Sequence, residues 1–452
     1  MRIIEVSVKN LFGTFDHVVP LKTKDRITII HGPNGFGKTI MLRMIYALFT
    51  RRYHSLLNVP FDEFLVRFDD GNNLLLRKST KSEHDDTQHH ESTIDFELTT
   101  NGNKLSSFVY KPRKVSDLNF PLELIEHEIP ELERSAADAW LYPLTREVLS
   151  LDEVLTRFQD RLPMSRKAIK EPKDSEWLQQ LIGRLQVYFV EAQRLISFSP
   201  RRRREYEGRI PTVLVVAAYS EELAAAMQNK LKEYGELSQS LDRSFPTRLL
   251  RSGGLSQLTN EEIQKNLAGL EQKRLRLTTA GLLDRAEEID VGRLPMIDET
   301  NRNVLSVYVD DVGKKLAVFD ELTNRIDTLL HIINNRFLYK QMSISKKDGF
   351  LFKTAAGDLL SPAVLSSGEQ QEIVLLYTLL FKVNPGSLIL IDEPELSLHV
   401  VWQQQFLEDL KRITEIGEFD VLIATHSPEI IHDRWDLTVE LKGPNGAETF
   451  NR

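Results

Sequence analysis

Nine residues, His31-Gly32-Pro33-Asn34-Gly35-Phe36-Gly37-Lys38-Thr39, constrain the fold of this chain more than any other stretch. A short apolar run, Arg26 to Ile30, precedes them, and a mostly apolar run, Ile40 to Phe49, follows. The order reads as strand, glycine-rich loop, helix, and Gly32 to Thr39 fits G-x-x-x-x-G-K-[ST], the phosphate loop. Glycines let backbone N–H groups curl around phosphate oxygens, and the dipole of the following helix favours the same negative charge. Asn34, Gly35, Gly37, Lys38 and Thr39 are therefore the candidate phosphate-binding residues. Lys38 is placed to reach the β- and γ-phosphates of a nucleotide, and Thr39 to hold Mg²⁺.

The chain is 452 residues long, a length that suits two or three domains, and its 41% hydrophobic and 27% charged content suits a globular protein. No apolar run approaches the roughly 18 residues of a membrane helix. Met1 to Val6 reads as a strand, with Glu5 interrupting any signal-peptide core. There is no cysteine, which excludes disulfides, thiolate zinc sites and cysteine nucleophiles. These features together predict a cytoplasmic protein without a membrane partner. A net charge of −8 argues against a generally basic nucleic-acid binder but leaves room for a local basic groove.

Three strands are predicted before the phosphate loop: Ile3 to Val8, Phe15 to Leu21 and Arg26 to Ile30. Two hairpins follow its helix. One joins Glu63–Phe68 to Asn73–Lys78 through Asp69-Asp70-Gly71-Asn72; the other joins Thr93–Leu98 to Lys104–Tyr110 through Asn101-Gly102-Asn103. The polar stretch between the hairpins carries His84, His89 and His90, and reads as a solvated loop rather than a metal site. Residues 112 to 186 read as mostly helical, with helices around Ala136–Phe158 and Asp174–Leu185. Val187 to Val190 is a buried strand, and Gln193 just beyond it is either a nucleotide- or Mg²⁺-contacting residue or an ordinary strand-end polar group. Arg201 to Arg204 fits nucleic-acid phosphates, an acidic partner surface or a solvated loop. From Ser220 to about Asp290, Leu223, Met227, Leu231, Tyr234 and Leu237 recur at helical spacing, as do Ile263, Leu267, Leu270, Leu275 and Leu277. An antiparallel helical hairpin or short coiled coil is expected there, broken by Pro246, with a further helix from about Asn303 to Phe337.

The second half of a nucleotide site is predicted near the C-terminus. Ser387 to Ile391 is an apolar strand ending in Asp392 and Glu393, the pattern that delivers an aspartate to Mg²⁺ and places a general base beside it. Leu365-Ser366-Ser367-Gly368-Glu369-Gln370 opens a helix whose N–H groups can receive an anion. Val421 to Ala424 is another core strand, ending in Thr425-His426, where the imidazole can bond a γ-phosphate.

Gly32–Thr39, Leu365–Gln370, Ile391–Glu393 and Thr425-His426 resemble the Walker A, signature, Walker B and switch-histidine motifs of ABC-type ATPases, with Glu395 to His399 at the place of the D-loop. The signature departs from transporters, reading Ser-Ser-Gly-Glu where they have Ser-Gly-Gly-Gln. The wide helical gap between Walker A and the signature resembles the SMC and double-strand-break-repair branch. Pro394-Glu395 followed by His399, and Ala424 to Pro428, resemble the OLD-type group of bacterial ATPases.

The resemblance implies an α/β fold: an ABC-type P-loop ATPase head with an antiparallel β subdomain and a helical, short coiled-coil insertion. The expected division is 1–110 for the Walker A half, 111–338 for a helical insertion serving assembly and partner docking, and 339–452 for the other half of the head. It implies ATP and Mg²⁺ as ligands, Thr39 and Asp392 as metal contacts, to which Gln193 is added only as the strand-end candidate above, and Glu393 and His426 as catalytic residues. Ser366 and Gly368 are expected to complete the ATP site of a second copy, so the chain assembles at least as a dimer, with a hexameric ring as the larger form. OLD proteins carry a Toprim nuclease, and the short stretch after His426 leads to the expectation of a nuclease on a separate chain. That arrangement resembles the ATPase components of anti-phage systems, PARIS-like with a Toprim effector or Septu-like with an HNH effector, answering a phage trigger protein. The alternative is an SMC-like DNA-repair ATPase that binds DNA directly.

Overall fold

The computed structural model describes residues 1–81, 91–111, 122–136, 139–143, 147–151, 154, 158, 175–191, 212–251, 258–284, 299–396 and 400–443. Its contacts divide the chain into two compact units, Met1–Arg194 with Val383–Arg452, and Leu195–Lys382.

The first unit is built on a five-stranded, wholly parallel sheet in the order Val187–Glu191, Leu388–Asp392, Asp420–Ala424, Ile27–His31, Thr438–Glu440. Parallel strands covered on both faces read as continuous apolar runs. Ile27–Ile30, Leu388–Ile391 and Asp420–Ala424 are buried without a break. The helix Lys38–Phe49 packs on this sheet, Tyr46 stacking on Phe189 at 5.5 Å between ring centres.

The same helix also meets a six-stranded sheet in the order Phe15–Pro20, Ile3–Leu11, Glu63–Phe68, Asn72–Lys81, Glu91–Thr100, Asn103–Tyr110. Here the pairing is antiparallel and burial alternates: Val6 and Val8, Phe64 and Val66, Leu74 and Leu76, and Ile94 and Phe96 turn inward. One core contains those residues together with Met41, Leu42, Ile45 and Leu48 of the helix and Leu388, Leu390 and Leu422 of the parallel sheet. The helix is thus buried on several sides, as its all-round apolar sequence requires.

Residues read as helical around 136 instead form a three-stranded antiparallel sheet, Glu133–Ala136, Ala139–Tyr142 and Glu147–Ser150. Trp140, Tyr142 and Leu149 are its buried residues, an alternation that fits a strand and was obscured by the helix-forming alanines and glutamates around it. The helix expected near Asp174–Leu185 is present as Glu176–Gly183.

The second unit carries the helices Thr212–Arg251, Asn260–Thr279, Glu299–Ala317, Asp320–Arg336 and Ser367–Tyr377, and a meander of Lys340–Ser345, Gly349–Thr354 and Leu359–Leu360. Pro246 does not break the first helix. The carbonyl that Pro246 leaves without its helical donor is that of Asp242; nearby, Ser244 Oγ donates to Ser240 O at 3.0 Å and Arg248 Nη2 to Leu241 O at 2.9 Å, and Arg248 also pairs with Asp311 of a neighbouring helix. The helix expected over Asn303–Phe337 is two helices, divided at Val318-Phe319, where Phe319 is fully buried against Tyr234.

The expected hairpin is a three-helix arrangement. Arg248–Asp311, Asp242–Lys315 and Tyr234–Phe319 run in opposite senses, so the long helix is antiparallel to the chain from 299 to 319. Asn260–Arg302, Lys273–Asp320 and Arg276–Asp327 advance together, so Asn260–Thr279 runs parallel to it. Gln193, Arg201–Arg204, the three histidines between the hairpins and Ser397-Leu398-His399 lie outside the described residues. Among the described residues no helix is long and apolar enough to cross a membrane.

Candidate functional site

In the first unit the predicted residues gather at the C-terminal ends of adjacent parallel strands, the edge where open α/β sheets bind ligands. Gly32 follows one strand, Asp392 ends the next but one, and Thr425-His426 follow the strand between them. A cavity of about 360 Å³ opens there, lined by Phe12, Asn34, Gly35, Gly37, Lys38, Thr39, Ile40 and Glu393.

Gly37 caps the N-terminus of Lys38–Phe49 with φ of 87°, and Gly35 has φ of 88°. That helix has no side-chain cap and no acid in its first turn, so its N-terminal N–H groups face an anion without a competing carboxylate on the same helix. Lys38 is buried, and its Nζ donates to Gly32 O at 2.7 Å and Pro33 O at 3.1 Å. Burial lowers its pKa, and Glu393, Asp392 and Glu395 act in the opposite sense. Thr39 Oγ1 donates to Asp392 Oδ1 at 2.9 Å. A hydroxyl and a carboxylate side by side are hard oxygen donors of the kind Mg²⁺ prefers. The donor set therefore fits a magnesium nucleotide.

Glu393 adopts φ of 48° although it is not glycine and precedes a proline. Its backbone N–H donates to Ala424 O at 2.8 Å, and Leu396 N–H returns to its carbonyl at 3.1 Å. This left-handed turn, worth roughly 1–3 kcal/mol of strain, brings the carboxylate into the cavity lining. Glu393 Oε2 lies 2.8 Å from His426 Nδ1.

Ser366 and Gly368 belong to the second unit. Ser366 caps Ser367–Tyr377 in a capping box: its Oγ accepts from Glu369 N–H, and Glu369 Oε2 accepts from Ser366 N–H at 2.8 Å. Lys340 Nζ holds Glu369 at 2.8 Å. Burial alone would raise the Glu369 pKa; Lys340 and Ser366 outweigh it and the pKa is lowered.

Sequence reasoning missed the support beneath the phosphate loop. Phe12, half-exposed with φ of 56°, lines the cavity. His17 is buried and its Nε2–H donates to Phe36 O at 2.8 Å, while Phe15 lies against the Phe36 ring. Burial lowers the His17 pKa, against the Phe36 carbonyl and Asp16, and so favours the neutral ring. No motif marks these residues; the one signal was an aromatic-rich hairpin just upstream of the loop.

A model of the AAA ATPase domain matches residues 1–431, and the chain belongs to that family. It is 32% identical over 150 residues to UvrABC system protein A of Aquifex aeolicus (strain VF5), a match spanning 32% of this chain and 15% of that protein. Two solved structures align with 95% of this chain and 91% of theirs, at 10% identity and a TM-score of 0.30: the SMC head domain from Thermotoga maritima, and the SmcHead bound to the C-winged helix domain of ScpA.

Proposed function

We propose that the chain is an ABC-type ATPase that binds and hydrolyses Mg-ATP, and that ATP-driven engagement of two copies lets it act as sensor and scaffold for a separate effector nuclease in anti-phage defence. The observation that carries the hydrolase reading is Glu393, drawn by its left-handed turn into the lining that holds Lys38 and Thr39. The loop N–H groups and Lys38 would bind the phosphates, while Thr39 and Asp392 would hold Mg²⁺, which would supply positive charge against the phosphates. Glu393 accepts a proton from the water that attacks the γ-phosphorus, and ADP leaves. His426, whose Nδ1 lies 2.8 Å from Glu393 Oε2, would orient that carboxylate and contact the γ-phosphate.

Ser366 and Gly368 would contribute across the interface to the partner's ATP. The resemblance of the motifs to OLD-type ATPases supports the defence assignment. The test is Glu393→Gln. It should keep ATP binding, lower turnover by at least about 100-fold, and give a stable dimer or larger ring with ATP in light scattering. Normal hydrolysis by this variant refutes the base; a variant that stays monomeric with ATP refutes the scaffold. Affinity purification with its neighbouring genes should recover a nuclease in stoichiometric amount. ATP-dependent, salt-sensitive DNA binding by the chain alone would favour the DNA-repair reading instead.

A further inference from the structure

Glu395 stands two residues after Glu393, outside the cavity lining, and no role in binding or chemistry has fallen to it. Its side chain is only 8% exposed. Its Oε1 accepts from Thr425 Oγ1 at 2.7 Å and from His426 N–H at 3.2 Å, and lies 3.2 Å from His426 Nδ1. The Glu395 carbonyl accepts from Gln403 Nε2 at 3.2 Å, and Gln403 Oε1 in turn accepts from Ser427 Oγ at 3.3 Å. Ser427 N–H closes the ring on Thr425 Oγ1 at 3.0 Å. Three segments are tied together in this way: the turn after the acid-bearing strand, the loop after the histidine strand, and the helix Val400–Gly417.

Glu395 Oε2 is buried and has no hydrogen-bond partner. An uncompensated carboxylate oxygen in the interior is costly, and a residue serving only to tie loops together would lose nothing as a neutral amide. The charge is felt at Lys38, whose ammonium it favours.

From this we infer that Glu395 is the positioning residue of the switch histidine. Both oxygens beside His426 Nδ1, Glu393 Oε2 and Glu395 Oε1, are acceptors, so Nδ1 carries a proton and Nε2 is the atom left for phosphate. Glu395 fixes that tautomer, and through the Thr425 and His426 backbone bonds it fixes where the ring stands. Glu393 is then held by a histidine that cannot turn away.

The inference rests on the hydrolase reading above, and a double-mutant cycle separates the two. Glu395→Ala should lower kcat about 10- to 100-fold while the Kd for a fluorescent ATP analogue changes less than about threefold. Glu395→Gln, which keeps an acceptor for Thr425 and His426 N–H, should recover part of the loss. Because Glu395 acts through the ring, Glu395→Ala combined with His426→Ala should be no slower than His426→Ala alone. Multiplying effects, or wild-type kcat in Glu395→Ala, would overturn the inference. A second readout needs no turnover. In ¹⁵N-histidine spectra of the full chain, the signal lost in His426→Asn should report a proton fixed on Nδ1, and Glu395→Ala should convert it to a tautomer mixture. An unchanged signal would overturn the inference even if hydrolysis proved to need another base.

Discussion

Gly37 is the residue whose replacement has the most calculable cost. Its φ of 87° is left-handed, and a Cβ built there would come within 2.6 Å of Leu11 Cδ2, a side chain with no exposure. Gly35 has nearly the same backbone, φ of 88°, but nothing within 4 Å of its Cβ position. Gly35→Ala should therefore carry the conformational cost alone, about 1–2 kcal/mol. Gly37→Ala adds the overpacking of a confined leucine, about 1–3 kcal/mol more. All four tryptophans, Trp140, Trp177, Trp402 and Trp435, belong to the first unit, so their fluorescence during urea unfolding reports on the unit that holds the loop. Measured without nucleotide, Gly37→Ala should unfold at lower urea than Gly35→Ala. Leu11→Ala should cost about 2–5 kcal/mol by itself, yet combined with Gly37→Ala it should cost about 1–3 kcal/mol less than the sum, because the collision has gone. Equal midpoints for the two glycine variants, or additivity within about 0.5 kcal/mol, would refute the claim that Leu11 underpins the loop.

Three further outcomes follow from the geometry. Thr39→Val removes the hydroxyl bonded to Asp392; ATP affinity in EDTA should be unchanged, and the gain on adding Mg²⁺ should fall about tenfold by calorimetry, the worth of one hydrogen bond to charge. His17 is held below its ordinary pKa of 6.5 by burial, so the unfolded chain takes up its proton first and stability should fall as pH drops through about 6.5. His17→Gln, which keeps a donor for Phe36 O, should flatten that part of the urea-midpoint profile. Asp420→Asn breaks the paired contact with Arg2, whose Nε donates to Asp420 Oδ2 at 2.7 Å with Asp420 only 12% exposed, and should lower stability by about 1.5–3 kcal/mol in the same assay.

What could be read from the sequence was what repeats a rule over consecutive residues. The apolar runs that end in Gly32, Asp392 and Thr425 marked the three central strands, and the two Asp/Asn-Gly turns marked the hairpins; the register shift after Leu98 was not foreseen. Legibility failed where a long-range contact overrides a local preference. Pro246 is a helix breaker by itself, but contacts on either side of it, Arg248 with Asp311 and Tyr234 with Phe319, tie the helix to its neighbour. Glu133–Ser150 has helix-favouring composition, but Trp140 and Tyr142 bury themselves as a strand. At the site, Lys38, Thr39 and Asp392 were legible because phosphate and metal chemistry fixes their types. Phe12 and His17 were not, since each acts on the site through a ring face or a backbone carbonyl; Glu395 stood in a recognisable pattern, but its contacts with Thr425 and His426 were not legible, because no residue pattern records such a contact.

The charges at the site bear on how a nucleotide enters. Lys38 is the cation of the loop, and the carboxylates of Asp392, Glu393 and Glu395 all act on it. Two of its three donors already serve the carbonyls of Gly32 and Pro33, so beyond the third donor a phosphate oxygen gains only the difference between two sets of hydrogen bonds. A bare triphosphate would also bring about four negative charges toward three carboxylates, and one ammonium with one helix dipole of about half a charge does not balance them. A divalent cation shared between the phosphates and the Thr39–Asp392 pair reverses the sign of that encounter, since a bound ion is the largest local charge in such a site. The nucleotide and its metal are therefore expected to bind as one ligand. The Thr39 hydroxyl then matters only when the metal is present, and that is why its loss should be invisible in EDTA.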